Sequence, residues 1–541
     1  MTLGILYFHM EVTMRLRTTI AVAAAKAALK ACHLTGRPGS SLPGRAALKT
    51  DPHIISALAD QVRRGIIVTC GTNGKTTTNN LLCDALEAQG FRVVSNRLGA
   101  NMIEGIATAL ATAANPLGRL DADYACLEVD EASSVRVLDF LKPDYMILLG
   151  LFRDQLDRYG EIDLTMKALE KAIRLAPDMR LIINGDDPLT AYLAMKCGNR
   201  AAAFGVSGPA GPFDLRGQMT PLSPITPRSQ PGPAVGGSND LRGQMTSQKA
   251  STYPPATHEI RESRFCENCG APLHYDFYHF SQLGIYRCPS CGFQRPAISY
   301  EATNVSLSPN LSFDIREAVR SQGGPAVDDP RRGANGSNDP RGEMTPMTPI
   351  VSPLTGFYNV YNILAVYSVL REANLPVDKF NDTLHDFRPQ FGRCEVFFFG
   401  ENNAQKVLLN LAKNPAGFNQ NISTMLLDRT PKDLVIAIND NAQDGRDVSW
   451  LWDVDFDRLA DGNIRSITVS GLRALDMQLR LKYAGIDSFA ALTVDEAIYR
   501  QLACGCGNLY VLVNYTALYP AHQFLSRKGR SKKRTPDSRA I

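Results

Sequence analysis

An apolar run, Gly65-Ile66-Ile67-Val68-Thr69-Cys70, breaks at Gly71-Thr72-Asn73-Gly74-Lys75-Thr76-Thr77-Thr78. A strand that feeds a glycine-containing loop and then a helix is the setting of a phosphate-binding loop. Glycines let backbone N–H groups approach phosphate oxygens, and the helix N-terminus adds positive partial charge. Gly71, Thr72, Asn73, Gly74, Lys75, Thr76 and Thr77 are therefore the expected nucleotide contacts. Lys75 would reach the β- and γ-phosphates, and the Thr76 hydroxyl would ligate Mg²⁺. The common form of the loop has glycine at the position of Thr69, so this one is compact. The bland alternative is an ordinary strand–helix turn.

At 541 residues the chain exceeds one compact core, so two or three domains are expected. Further strands are expected at Tyr124 to Val129, Tyr145 to Leu149 and Leu181 to Asn184, with helical stretches between them. That alternation predicts an α/β fold, a parallel sheet flanked by helices. A second, smaller α/β unit is expected over 385–525, with strands at Val407 to Leu411, Leu434 to Ile438, Ile464 to Val469 and Leu509 to Val513. The ATP-binding unit is placed at 51–380, a helical segment at 14–50, and a basic disordered tail at 526–541. Met14 reads as the native start, and residues 1–13 as a non-native extension. Segments 206–257 and 320–353 share the near-repeats Arg216 to Thr220, Arg242 to Thr246 and Arg341 to Thr345. They bury too little apolar surface to offset chain entropy and are expected to be disordered insertions.

The net charge of +4 supplies no global basic field, so no nucleic-acid partner is expected. No run of eighteen apolar residues predicts a membrane span. Eight of the twelve cysteines are scattered, as in a reduced cytoplasmic protein. The other four form Cys266-x2-Cys269 and Cys288-x2-Cys291, eighteen residues apart. Two such knuckles at that spacing predict a ribbon over 260–298 holding structural Zn²⁺ by four thiolates. Catalytic zinc and a redox pair are the alternatives. The aromatic residues from Tyr275 to Phe280 are expected to pack the ribbon.

The compact loop Gly71 to Thr77 resembles that of Mur ligases and folylpolyglutamate synthetases, which phosphorylate a carboxylate with ATP and let an amine attack it. Other segments follow in the order this family uses. Glu128 in Leu127-Glu128-Val129-Asp130-Glu131 matches a Mg²⁺ ligand, with a solvated acidic strand end as its bland alternative. Asn184-Gly185-Asp186-Asp187-Pro188 matches a turn near the nucleotide, which implicates Asp187. Asn359-Val360-Tyr361-Asn362 matches a helix start whose second asparagine, Asn362, lies by the adenine. Gly392-Arg393 matches the arginine that reaches the γ-phosphate.

Three features narrow the resemblance to the MurT-type synthetase subunits of lipid II isoglutaminyl synthases: the four-cysteine insertion, the segment Phe152 to Asp163, and the segment Asp440 to Trp450. It covers nearly all of residues 14–525 apart from the two insertions. The resemblance implies a heterodimer with a GatD-type glutaminase. It also implies a membrane-bound substrate, lipid II, reached from the inner face of the cytoplasmic membrane. The expected product is the amide of the α-carboxyl of D-glutamate, formed through an acyl phosphate and ammonia. Catalytic roles are implied for Lys75, Arg393 and Asp447, the last completing the partner's Cys–His pair; read alone, Asp447 would simply cap a helix at Val448. Gln155 stands where amino-acid-adding Mur ligases have a Mg²⁺-binding histidine, and Leu149-Gly150 replaces an expected Thr-Asn pair. Lys167 and Lys171 lie near the region of those ligases' carbamylated lysine without clearly matching it. Two rival readings are an amino-acid- or glutamate-adding ligase and a non-catalytic zinc-ribbon module; intact Lys75, Thr76 and Glu128 oppose the latter.

Overall fold

The computed structural model describes residues 2–34, 39–97, 100–153, 162–208, 263–307, 310–318, 348–389, 392–505 and 507–531. In the first unit the strands are β1 (Gly65–Cys70), β2 (Val93–Ser95), β3 (Tyr124–Glu128), β4 (Tyr145–Leu148), β5 (Arg180–Asn184) and β6 (Ala201–Val206). A hairpin follows, β7 (His274–Phe280) and β8 (Leu283–Arg287), and then β9 (Tyr300–Ser306), β10 (Leu311–Glu317) and β11 (Thr348–Ser352). Among the described residues these form a nine-stranded sheet ordered β11-β10-β9-β6-β5-β4-β1-β3-β2, with β7 and β8 apart as a two-stranded sheet.

β1 is buried at every residue, as its unbroken apolar run requires between two helix-covered faces. Its side chains alternate between two cores: Ile66, Val68 and Cys70 face one, Ile67 the other. It pairs in parallel with β3 on one side and β4 on the other. The chain therefore leaves the carboxyl end of β1 where connections diverge, the place at which open α/β sheets bind ligands. The helix Lys75–Ala88 starts there, capped by Gly74 at φ +86°. A Cβ at Gly74 would stand 2.2 Å from Asn362 Oδ1, so glycine is demanded by both the backbone and the neighbour.

The second unit contains β12 (Glu395–Phe399), β13 (Gln405–Leu411), β14 (Lys432–Ala437), β15 (Ile464–Ser470), β16 (Phe489–Ala490), β17 (Asn508–Val513) and β18 (Arg530–Ser531). They are ordered β16-β15-β14-β17-β13-β12-β18, and the run from β16 to β13 is parallel.

Some boundaries differ from expectation. Thr348–Ser352 is a strand, not part of a disordered insertion: β11 pairs antiparallel with β10 and buries Ile350. It carries Pro349, which an edge strand tolerates because no ladder donor is needed on its open side. At the other end the helix Tyr515–Lys528 runs past residue 526 with Leu525 fully buried, and β18 then pairs with β12. The basic tail expected from 526 is thus structured to residue 531. The first insertion's expected start also shifts, since Val206 is the buried end of β6; residues 209–257 and 320–347 lie outside the described residues, as does Gln155.

Candidate active site between the two α/β units

A cavity of about 940 Å³ opens at the carboxyl end of β1 and is walled by both units. The first unit supplies Thr72 to Thr77, Glu128, Asn184 and Asn362; the second supplies Asn410, Lys413, Gln420, Gln443 and Tyr515. Arg393, just before β12, also faces it. The loop meets the second unit directly. Asn73 and Asn414 pair through their amides, Nδ2 to Oδ1 at 3.4 and 3.3 Å. Asn414 also accepts from Gly417 N at 2.8 Å and so caps the helix Pro415–Leu427.

Lys75 is buried, and its Nζ donates to Gly71 O at 2.6 Å and to Glu131 Oε1 at 2.9 Å. Glu131 Oε1 also accepts from Gly71 N at 3.0 Å. Burial alone would lower the ammonium's pKa, but Glu131, Glu128 and Asp130 hold it well above its ordinary value. Burial would likewise raise Glu131, yet Lys75 outweighs it and keeps that carboxyl below the usual range. The pair is fully ionised at neutral pH. Glu131 was not singled out by sequence; its only signal was its place in the acidic segment that contains Glu128.

Thr76 Oγ1 donates to Glu128 Oε2 at 2.6 Å and accepts from Arg393 Nη2 at 2.9 Å. Glu128 Oε1 accepts from Asn101 Nδ2 at 3.1 Å. A hydroxyl and a carboxylate held together beside a phosphate loop are the oxygen donors a hard cation uses. Arg393, 317 residues away in sequence, is brought to the same point.

The remaining expected contacts divide. Asn362 lines the cavity, accepts from Thr78 Oγ1 at 3.3 Å and donates to Asn359 Oδ1 at 2.8 Å. Asp187 stands behind the wall instead of in it, since both its oxygens are engaged. Leu189 N donates to Oδ1 at 3.1 Å, which caps the helix Pro188–Cys197, and Leu151 N donates to Oδ2 at 2.8 Å. Burial pushes this carboxyl up to about 7. Asn184, from the same turn, is the residue that reaches the cavity. Leu149 and Gly150 line it too, and Gly150 O accepts from Thr72 N at 2.8 Å. Lys167 and Lys171 are exposed on the helix Ile162–Arg174 and lie outside the wall.

Asp447 is half-buried on the second unit and does not line the cavity. Its Oδ1 accepts from Ser449 N at 2.8 Å, at the start of the 3₁₀ turn Ser449–Asp453.

The four cysteines converge, with all four Sγ atoms within 4.8 Å of one another. Cys266 faces Cys291 at 3.6 Å and Cys269 faces Cys288 at 3.5 Å. Gly270 and Gly292 follow each pair at φ +74° and +76°, turning the knuckles so that Gly270 N donates to Cys266 O and Gly292 N to Cys288 O. Four convergent thiols fit tetrahedral Zn²⁺. Tyr275 packs on the knuckles as expected, and Tyr286 and Phe293, which the sequence reading does not name, join it there. Phe280 does not: it belongs to the core of the first unit.

Two families match this chain: the Mur ligase middle domain over residues 68–220 and the MurT ligase C-terminal domain over residues 411–518. The chain is 32% identical over 515 residues to the lipid II isoglutaminyl synthase (glutamine-hydrolyzing) subunit MurT of Staphylococcus aureus strain COL, covering 95% of this chain and 98% of that one. It is 30% identical over 519 residues to the same-named subunit of Streptococcus pneumoniae, again covering 95% and 98%. Among solved structures, a pseudomurein peptide ligase type C from Methanothermus fervidus superposes with a TM-score of 0.55 at 17% identity, over 86% of this chain and 79% of that one, which speaks to fold alone. From the phosphate loop to the second α/β unit, the chain belongs to the MurT family of Mur ligase-type synthetase subunits.

Proposed function

We propose that this chain is the ATP-consuming subunit of a glutamine-dependent lipid II amidating enzyme. The observation that carries the reading is the convergence of Lys75, Thr76, Glu128 and Arg393 on one cavity between two units that match the MurT family. Mur ligases use ATP and Mg²⁺. Gly71 to Thr77 hold the phosphates and Asn362 faces the base, while Thr76 and Glu128 hold Mg²⁺, which neutralises phosphate charge. A D-glutamate α-carboxylate oxygen attacks the γ-phosphorus of ATP, giving an acyl phosphate and ADP. Ammonia then attacks the acyl carbon, the C–O bond breaks, and phosphate leaves with that oxygen as a proton leaves the nitrogen. Lys75 and Arg393 oppose the charge on the transferring phosphoryl group.

Ammonia comes from a GatD-type glutaminase partner. Asp447 orients that partner's histidine, a role consistent with a half-exposed carboxylate fixed by one backbone amide and lying outside the ATP cavity. Among the described residues no helix is long and apolar enough to cross a membrane. Lipid II is met at the cytoplasmic face of the bilayer, on the side where ATP is available.

The reading is tested by reconstituting the chain with the glutaminase and measuring amidation of lipid II with glutamine or with ammonium. Amide formation from both supports it. Incorporation of a free amino acid with no use of ammonia would replace it with the amino-acid-adding reading. Arg393→Met is expected to lower kcat about 10²- to 10³-fold with KM for ATP changed far less, because the guanidinium acts on charge that develops in transfer. Equal changes in kcat and KM would assign it to ground-state binding.

Zinc held by Cys266, Cys269, Cys288 and Cys291 is structural, since four thiolates leave no open position. A structural zinc site contributes on the order of 10 kcal/mol to the unit that holds it. Cys288→Ser is expected to drop bound zinc from about one per chain toward none and to expose 263–295 to protease. Unchanged zinc content and protection would refute that assignment.

A further inference from the structure

The hairpin carried on the four-cysteine unit reaches beyond it. Phe280 and Leu283 pair across the two-residue turn between β7 and β8. Ser281 adopts φ +49° to close that turn, and the fully buried Gln282 donates Nε2 to Leu151 O at 2.6 Å. Phe280 stacks on Phe152 at 6.1 Å between ring centres and meets the edge of Tyr361 at 6.0 Å. Phe152 in turn binds the phosphate loop, exchanging hydrogen bonds with Thr72 Oγ1 at 3.0 Å in both directions. The hairpin tip is thereby fixed to the loop's own support.

Phe280 and Leu283 both face the cavity that holds Lys75 and Thr76. The same wall includes Asn184, which is 1% exposed. Asn184 Nδ2 is buried and has no hydrogen-bond partner among the described residues. A buried donor left unmade is costly, so a ligand acceptor is the natural complement. An aromatic and apolar surface beside an unpaired amide donor suits a purine: stacking on the ring face and acceptance at a ring nitrogen.

Resting on the reading of this cavity as an ATP site, we propose that Phe280 and Leu283 form the wall against which the nucleobase packs. The four-cysteine insertion is then a nucleotide-specificity element of the synthetase, with Gln282 as its positioning residue. The hairpin holds the base while the loop after β1 holds the phosphates, so the two halves of the ligand are recognised by separate pieces of chain.

Titrating the zinc-loaded, full-length chain with a non-hydrolysable ATP analogue and, separately, with inorganic tripolyphosphate tests this, both with Mg²⁺. Phe280→Ala is expected to weaken the ATP analogue roughly tenfold, as for loss of one aromatic platform under a base, and to leave tripolyphosphate unchanged. Leu283→Ala is expected to act in the same direction, and Phe280→Leu, which preserves apolar volume, to fall between. These two milder variants keep the test decisive if Phe280→Ala misfolds. Equal weakening of both ligands, or none in any variant, would overturn the proposal. Failure of the unmodified chain to bind either ligand would instead sink the ATP reading on which it rests.

Discussion

Lys75→Ala is expected to abolish amide formation, lowering kcat by at least about 10³-fold, because it removes the one ammonium inside the phosphate loop. The lysine has no substitute at that point. Arg393 reaches Thr76, and Lys413 lines the cavity from the second unit, but neither replaces a side chain that springs from the first turn of the phosphate-loop helix. The substitution has a second consequence. It leaves Glu131 buried without its counter-ion, and breaking a buried pair costs about 3–5 kcal/mol. The single variant is therefore expected to be inactive and also less stable. The double variant Lys75→Met/Glu131→Gln separates the two effects. It should recover most of the lost melting temperature and none of the activity. Recovery of turnover by the double variant, measured per folded molecule, would mean that Lys75 serves only as Glu131's partner.

The second large effect belongs to Asp447. In the complex with the glutaminase, Asp447→Asn is expected to lower glutamine-dependent amidation by about 10³- to 10⁴-fold. An amide cannot fix the histidine tautomer or stabilise the imidazolium. Amidation driven by added ammonium should stay near its original rate, because Asp447 lies outside the ATP cavity. The fold should survive, since asparagine still offers Oδ1 to Ser449 N. Equal loss of both activities would mean that the residue only shapes the second unit. Full retention of the glutamine-driven rate would remove it from the partner's chemistry.

What the sequence makes legible follows a physical pattern. The phosphate loop was legible because its whole signal is local: an apolar strand, two glycines at positive φ, and a helix start within a dozen residues. The cysteine knuckles were legible for the same reason, since the spacing within each pair is set by one turn. Contacts made across the chain were not. The Asn73–Asn414 pair joins residues 341 apart, and no local pattern marks Asn414. Glu131 looked like any acidic residue after a strand until the fold placed it on Lys75. Proximity in sequence places Phe280 on the ribbon, but the hairpin carries it out of the ribbon's own cluster. The family turn points to Asp187 as the nucleotide contact, yet Asp187 caps a helix while Asn184 of the same turn faces the cavity. Arg393 was found only through family resemblance; a lone Gly-Arg pair carries no periodicity or spacing of its own. The strand Thr348–Ser352 was hidden by the Pro- and Thr-rich composition of the insertion that precedes it, although Ile350 buries on the sheet.

The central claim is that this cavity passes a phosphoryl group from ATP to a carboxylate oxygen. The most direct measurement uses lipid II whose D-glutamate α-carboxyl is labelled with ¹⁸O, turned over by the reconstituted complex, with the released phosphate analysed by mass. One labelled oxygen per amide formed should appear in inorganic phosphate, because the acyl phosphate's bridging oxygen leaves with phosphorus. Amide formation accompanied by unlabelled phosphate would contradict the account.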